Sequence, residues 1–213
     1  MKILTMKFGG TSVADVDRIK AVRDIISSEV KNGWNVVAVV SAMSKETNKL
    51  INLAKQVGVD RPVDPEYDSL ISTGEDVSSS LLAIALNSIG ISSRSWRGWQ
   101  LPVRTDSFYS NAKIEEIETK QILTNFKEGI KVAVVSGFQG VEQSGRITTL
   151  GRGGSDTSAV AIAAAIDAER CDIYTDVSGI YTTDPRIKKN ASKLKKISFE
   201  EMLEMASLGA NVL

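Results

Sequence analysis

Along this chain, unbroken apolar runs alternate with stretches in which apolar residues recur every three or four positions. The runs predict buried strands over residues 3–8, 36–40 and 130–135, and further, short or weakly patterned strands over 91–96 and 171–174. The spaced stretches predict helices. Val13, Val16, Ile19, Val22, Ile25, Ile26 and Val30 define the first, which Gly33 closes at a C′ position. Leu50, Ile51, Ala54 and Val57 define the second, with Thr47 as its cap. Ser72 and Glu75 have capping-box spacing ahead of Val77, Leu81, Leu82, Ala85 and Ile89, and Gly90 ends that helix. A further helix is predicted over residues 114–126, with Ile117, Ile122, Leu123 and Phe126 as its apolar positions. An Ala-rich, buried helix follows over residues 157–166. Residues 141–150, turning at Ser144 and Gly145, read as a β-hairpin. Residues 58–65 hold two prolines and read as an irregular excursion. Near the end, Ser198 and Glu201 repeat the capping-box spacing before Met202, Leu203 and Met205, and Gly209 is placed as the helix stop.

Strands thus alternate with helices, without heptads, internal repeats, low-complexity tracts or an evident linker. The expected fold is α/β, a three-layer αβα sandwich around a mainly parallel sheet. A length of 213 residues suits one domain, or one with a small appendage. The 26 basic and 26 acidic residues cancel, so nothing points to nucleic acid or to an anionic membrane. The absence of His excludes His general bases, Ser-His and Cys-His nucleophile pairs and His-ligated metals. A single Cys171 cannot form an internal disulfide, which fits a reducing cytoplasm. No signal-peptide layout opens the chain, and the longest apolar run, residues 159–166, is too short to span a bilayer.

Candidate chemistry gathers at three glycine-rich or polar stretches. Gly151-Arg152-Gly153-Gly154-Ser155-Asp156 precedes the Ala-rich helix. It reads either as an anion-binding loop at a helix N-terminus or as a tight turn with Ser155 or Asp156 as N-cap. A cap does not explain three glycines and an Arg whose planar fork suits a carboxylate or phosphate. Lys7 ends the first strand, and Phe8, Gly9, Gly10, Thr11 and Ser12 follow; such a turn can form an anion-binding nest where open α/β sheets place ligands. It lacks P-loop spacing. Thr175 and Asp176 run into Tyr181-Thr182-Thr183-Asp184-Pro185-Arg186, either a plain polar loop or part of a nucleotide pocket with Mg²⁺ nearby. Gly98-Trp99-Gln100 is a loop whose aromatic has no evident purpose.

With these stretches in hand, the sequence resembles the catalytic domain of aspartokinase, within the amino-acid kinase superfamily. The resemblance rests on Lys7-Phe8-Gly9-Gly10-Thr11-Ser12, Ser72-Thr73-Gly74-Glu75, Gly98-Trp99-Gln100, Gly137-Phe138-Gln139-Gly140 and the run Ile147-Thr148-Thr149-Leu150-Gly151-Arg152-Gly153-Gly154-Ser155-Asp156. Tyr174-Thr175-Asp176-Val177 and Ile180-Tyr181-Thr182-Thr183-Asp184-Pro185-Arg186 complete it. Each short motif is common; together they cover the chain from end to end in family order.

The resemblance implies phosphorylation of the L-aspartate side-chain carboxylate by ATP to 4-phospho-L-aspartate, the first step towards lysine, threonine, methionine and diaminopimelate. It implies a cytoplasmic enzyme, for which a homo-oligomer is compatible. It implies that Lys7 and Asp156 are catalytic. Thr47, Glu75, Arg152, Gly153, Gly154 and Ser155 would bind aspartate. Lys7, Phe8, Gly9, Gly10, Thr175, Asp176, Tyr181, Thr182, Thr183, Asp184, Pro185 and Arg186 would bind ATP, with Mg²⁺ carried on its phosphates and no dedicated protein metal site. The chemistry suits these residue types. A carboxylate substrate is already a nucleophile and needs no general base, so positioning and charge neutralisation suffice. Arg152 can fork onto the α-carboxylate, Glu75 can take the α-ammonium, and Asp156 can orient Lys7. Two features depart from the family. Its members continue beyond an equivalent point and add regulatory domains, so residues 1–213 are expected to form a catalytic domain incomplete at its C-terminal end. Asn211 stands where many members carry a Lys near the nucleotide. The alternatives are another acyl-phosphate-forming kinase, of the glutamate 5-kinase or N-acetylglutamate kinase type, and a non-catalytic nucleotide-binding fragment.

Overall fold

All six residues of β1 (Ile3–Phe8) are buried, as are five of the six in β2 (Asn35–Val40), so neither strand has a solvent face. Such strands belong inside a parallel sheet covered on both sides. The computed structural model, which describes residues 1–58, 64–176, 179–183, 187–188, 190–198 and 200–202, places them there. With β3 (Ser93–Trp96), β6 (Val132–Ser136) and β9 (Arg170–Tyr174) they form a five-stranded sheet in the order β3-β6-β2-β1-β9. Every pairing in it is parallel. The chain divides into two compact units, Met1–Tyr174 and Thr175–Leu213, and this sheet lies in the first.

Alternation along the strands sorts the core into two halves. Leu4, Met6, Phe8, Val36, Ala38 and Val40 pack with Ile19, Val22 and Ile26 of α1 (Val16–Lys31) and Leu82, Ala83 and Leu86 of α4 (Thr73–Asn87). Ile3, Val37, Val39, Ala133 and Val135 pack on the opposite side with Ile122 and Phe126 of α5 (Lys120–Lys127) and Ala159 and Ile162 of α6 (Gly154–Ala165). The result is the expected three-layer αβα arrangement. Asp15 caps α1 through the N–H of Arg18, and Asn32 is followed by Gly33 at φ +91°. That left-handed position is the one the sequence assigns to glycine.

Several elements differ from expectation. Residues 114–126 are not one helix. β5 (Ile114–Ile117) pairs antiparallel with β4 (Val103–Thr105), and only then does α5 begin. Ile114 and Ile117 lie three apart, which satisfies a helical spacing, but both pack from a strand against the second core half. β4 and β5 join the expected hairpin, β7 (Gln139–Val141) with β8 (Ile147–Thr149), in a second sheet ordered β5-β4-β7-β8. Thr47 does not cap α2 (Glu46–Gln56). The cap position is Lys45, in a left-handed conformation without a side-chain bond, and Thr47 lies inside the first turn. Of the apolar positions assigned to α2 only Ala54 is buried, and Val57 is 83% exposed.

An unexpected short helix, α3 (Pro65–Ile71), precedes α4; Asp64 caps it through the N–H of Glu66, and Pro65 sits at its start. Ser72 joins α3 to α4 in a helical conformation, so Ser72 and Glu75 form no capping box. In α4 the expected apolar position Val77 is exposed, because the helix turns Ser78, Ser79, Leu82, Ala83 and Leu86 inward; Ile89, also expected there, is exposed just past its end. In α6, Val160 is exposed, so that helix buries one face rather than its whole circumference.

In the second unit, Tyr181 and Lys193 form an antiparallel bridge. Thr182 N–H donates to the Ser192 carbonyl, and Ser192 N–H donates to Thr182 Oγ1. Ser198 and Glu201 do form a capping box: each backbone N–H donates to the other side chain, at 2.9 and 3.2 Å. Leu203, Met205, Gly209 and Asn211 lie outside the described residues, as does most of the 58–65 excursion. Among the described residues no helix is long and apolar enough to cross a membrane.

Candidate active site

The alternation of β1 turns Lys7 away from the α1–α4 side and towards α6. There Nζ meets Asp156 Oδ2 at 2.9 Å, with both side chains largely shielded from water. Asp156 lies in the first turn of α6, where the helix dipole favours an anion. Gly9 lies two residues past Lys7, and a Cβ there would stand 3.5 Å from Lys7 Nζ. A Cβ on Gly10 would stand 3.0 Å from the Ala42 carbonyl, so the loops after β1 and β2 approach backbone to backbone. Ser41 N–H donates to the Phe8 carbonyl, Gly9 N–H to the Tyr174 carbonyl and Gly137 N–H to the Val40 carbonyl. The carboxyl ends of β1, β2, β6 and β9 are thereby gathered where parallel sheets hold ligands. The Phe8 ring is buried and stacked on Tyr174, with centroids 4.7 Å apart, so only its backbone faces this loop cluster.

Glu75 reaches the same cluster from α4. It is 3% exposed, and its Oε1 accepts the Ala42 N–H at 2.9 Å. Its Oε2 is buried without a hydrogen-bond partner among the described residues. Burial pushes the carboxyl up to about 8, against the pull of the Ala42 N–H and its own N–H; neighbouring Asp76 pushes the same way as burial. The N-terminus of α4 is held tightly here. Ser78 Oγ donates to the Ser41 carbonyl at 2.7 Å, and a Cβ on Gly74 would lie 2.8 Å from that of Ala42. Thr47 is half-buried in the first turn of α2.

The third component is the turn into α6. Gly151 and Gly153 adopt φ of +76° and +71°, a conformation that favours glycine. Gly153 is the N-cap residue and makes no side-chain cap bond; Ser155 and Asp156 stand inside the helix. The tight-turn reading with either of them as cap is therefore corrected. Their side chains are turned to other partners. Ser155 packs on Gly137, where a Cβ would meet it at 2.9 Å, and Asp156 pairs with Lys7. Arg152 is exposed at the tip of the turn. Gly154 is close-packed on Phe138, a non-glycine residue at φ +69° whose N–H donates to Ser158 Oγ and whose carbonyl accepts the Leu150 N–H.

Behind these residues lies a polar network that sequence reasoning missed. Gln139 Oε1 accepts the Gly98 N–H, while its Nε2 donates to the Ser72 carbonyl and to Asp76 Oδ1. Asp76 also accepts from Ser136 Oγ and pairs with Arg97 at 3.0 Å. The Gly-Phe-Gln-Gly and Gly-Trp-Gln stretches are thus tied to each other and to α4. A Cβ on Gly98 would lie 2.9 Å from the Gln139 carbonyl, and Gln100 accepts the Arg97 N–H. Their shared Gln and Gly content was the available signal. Nothing in the structure explains Trp99, which is exposed.

The remaining nucleotide candidates lie in the second unit. Thr175 and Asp176 are exposed, with Thr175 Oγ1 3.3 Å from Asp176 Oδ1. Tyr181 and Thr182 belong to the bridged segment, and Thr183 is exposed. Asp184, Pro185 and Arg186 lie outside the described residues.

Known proteins resemble this chain along its full length. The chain is 54% identical over its full length to an aspartokinase of Bacillus sp. (strain MGA3), of which it covers 51%. Among solved structures, aspartate kinase from Synechocystis superposes with a TM-score of 0.83 at 46% identity, over 99% of this chain and 34% of that one. Escherichia coli aspartokinase III, solved in complex with aspartate and ADP, superposes with a TM-score of 0.84 at 30% identity, over 97% of this chain and 56% of that one. The chain therefore spans about half the length of the curated relatives it matches. A parallel αβα core with its loops gathered at the strand ends, and a family match running from residue 2 to residue 213, place the chain in the amino acid kinase family.

Proposed function

We propose that this chain carries an aspartate kinase site, transferring the γ-phosphoryl group of ATP to the side-chain carboxylate of L-aspartate to give 4-phospho-L-aspartate. The product would feed lysine, threonine, methionine and diaminopimelate synthesis. The observation that carries the reading is Glu75. A buried carboxyl with one oxygen left unpartnered among the described residues is readily ionised by an entering cation, and the α-ammonium of an amino acid supplies one. Arg152, exposed at the neighbouring turn, takes the α-carboxylate through its planar fork. Gly153, Gly154 and Ser155 offer the N-terminal end of α6 to the same anion. Thr47 completes the substrate side from α2. Held at both ends, the substrate presents its side-chain carboxylate as the nucleophile.

Lys7 supports the transferred phosphoryl group, and Asp156 fixes the ammonium at 2.9 Å so that its charge arrives pre-oriented. The Gly9-Gly10 turn adds backbone N–H groups. Thr175, Asp176 and Tyr181 to Thr183 hold the nucleotide, together with Asp184, Pro185 and Arg186. Mg²⁺, when present, neutralises phosphate charge. It would be held mainly by those phosphates and by water, and the exposed Asp176 carboxylate could accept a hydrogen bond from such a water.

Trapping acyl phosphate with hydroxylamine tests the reading. Aspartate with ATP should give the hydroxamate, whereas glutamate and N-acetylglutamate should not; a preference for either of the latter would move the chain to a different acyl-phosphate kinase. Arg152→Lys should weaken aspartate by about tenfold, because an ammonium cannot reproduce a bidentate carboxylate contact. ATP affinity should stay unchanged. A variant that loses ATP affinity and keeps aspartate would reverse the assignment of the two ends of the site.

A further inference from the structure

Asp68 takes no part in the chemistry above, yet its side chain is completely buried on α3. Three donors converge on it: Ser110 N–H at 2.8 Å and Thr149 N–H at 2.6 Å on Oδ2, and Ser110 Oγ–H at 2.9 Å on Oδ1. No Lys or Arg pairs with it among the described residues. Burial pushes its carboxyl up, and these hydrogen bonds pull it back. A buried acid without a cationic partner among the described residues depends on these donors for its accommodation, and they in turn are fixed by it.

What it holds is the turn that carries Arg152. Thr149 is the last residue of β8, and Leu150, Gly151 and Arg152 follow it directly. Ser110, itself at φ +64°, flanks the same turn. A Cβ on Gly151 would meet the Ser110 carbonyl at 3.2 Å and Asn111 Oδ1 at 2.9 Å. Asp68 therefore fastens both walls of the Gly151 turn. At its other end, α3 runs through Ser72 into α4 without a break in helical conformation, and Glu75 lies in the first turn of α4. One side chain thus links the helix bearing Glu75 to the turn bearing Arg152.

We propose that Asp68 is a positioning residue for the amino-acid substrate, setting the span between Glu75 and Arg152 across which the two ends of an α-amino acid are read. The proposal rests on the substrate roles given above to Glu75 and Arg152. It predicts different outcomes for two variants. Asp68→Asn can keep both backbone N–H bonds on its carbonyl oxygen and turn its NH₂ to Ser110 Oγ, whose hydroxyl can accept. Asp68→Ala removes the acceptor of all three bonds.

Two measurements on the full 213-residue chain test it. In unliganded protein, amide exchange at residues 110 and 149–153 should rise about tenfold or more in Asp68→Ala, while β1, β2 and β6 stay protected and Asp68→Asn stays close to wild type. By calorimetry, Asp68→Ala should weaken aspartate about tenfold or more and leave a non-hydrolysable ATP analogue unaffected, and Asp68→Asn should restore aspartate. Unchanged exchange at 149–153, exchange raised throughout the sheet, or equal losses for aspartate and nucleotide would overturn the proposal and leave Asp68 as ordinary scaffold. If the alanine variant does not fold, Ser110→Ala, which removes one of the three donors, should give a smaller rise confined to the same residues; a rise elsewhere overturns the proposal. If wild type binds nucleotide but no aspartate, the reading of Glu75 and Arg152 fails and the substrate role of Asp68 with it, whereas the exchange data still decide whether Asp68 holds the turn.

Discussion

Lys7→Met is expected to lower turnover by about 10²–10³, the usual scale for losing one electrostatic contact to a transition state. The apparent constants for aspartate and ATP should move much less. Lys7 stands at the carboxyl end of β1, beside the Gly9 turn, and its side chain is 9% exposed, so little water screens its charge from a phosphoryl group there. Met has a similar length and belongs on a strand whose neighbours are apolar. The variant leaves Asp156 without its partner. That cost is limited, because Asp156 keeps 21% exposure and the favourable field at the start of α6. The melting temperature should therefore fall by a few degrees rather than collapse. Asp156→Asn keeps a hydrogen-bonding group beside Lys7 but removes the charge that orients it, and its loss of turnover should be the smaller of the two. Equal turnover in wild type and Lys7→Met, measured on protein that is active beforehand, removes Lys7 from the mechanism. A larger defect in Asp156→Asn than in Lys7→Met would instead give Asp156 a direct part in transfer.

The strands that carry this site were legible because burial on both faces leaves an unmistakable apolar run, as in β1, β2 and β6. Their parallel pairing and the position of Lys7 at a strand end followed from the alternation with helices. Where apolar residues were few, spacing misled. Ile114 and Ile117 fit a helix in one dimension, and only the partner strand β4, a three-residue element with a weak pattern of its own, makes them a strand. The two Ser-x-x-Glu stretches make the same point. Ser198 and Glu201 cap each other, whereas Ser72 and Glu75 do not. Ser72 already lies in helical conformation after α3, and Glu75 is drawn into the core by the Ala42 N–H, a partner supplied by tertiary structure. Asp68 had no local signal at all. Its donors come from Ser110 and Thr149, far along the chain, and only the folded arrangement reveals that a buried carboxylate supports the Gly151 turn.

Glu75→Gln should change stability and substrate affinity in opposite directions. The carboxyl is raised from 4.5 to about 8 in the folded chain, mainly by burial, so the native state holds a proton that the unfolded state has lost. For an acid raised in this way, the stability it permits is fully present below about pH 4.5. It declines as pH rises and reaches its lowest level above about 8. The full penalty is at most roughly 5 kcal/mol, since each unit of displacement is worth about 1.4 kcal/mol. Gln carries no charge to bury, and its carbonyl oxygen can still accept the Ala42 N–H. Its NH₂ inherits the place of the unpartnered Oε2 and returns part of the gain as an unpaired donor. The variant should therefore match wild type near pH 5 and be more stable by about 2–4 kcal/mol near pH 9, read from denaturant midpoints at constant slope. Binding should show the reverse. An amide cannot pair with the α-ammonium as a carboxylate does, so aspartate should weaken by about ten- to a hundredfold, with ATP unaffected. That combination identifies a charge kept buried for a ligand at the expense of the fold. A Gln variant that is less stable than wild type at alkaline pH, or that binds aspartate as well, would make Glu75 a structural residue and leave the substrate ammonium without its acceptor.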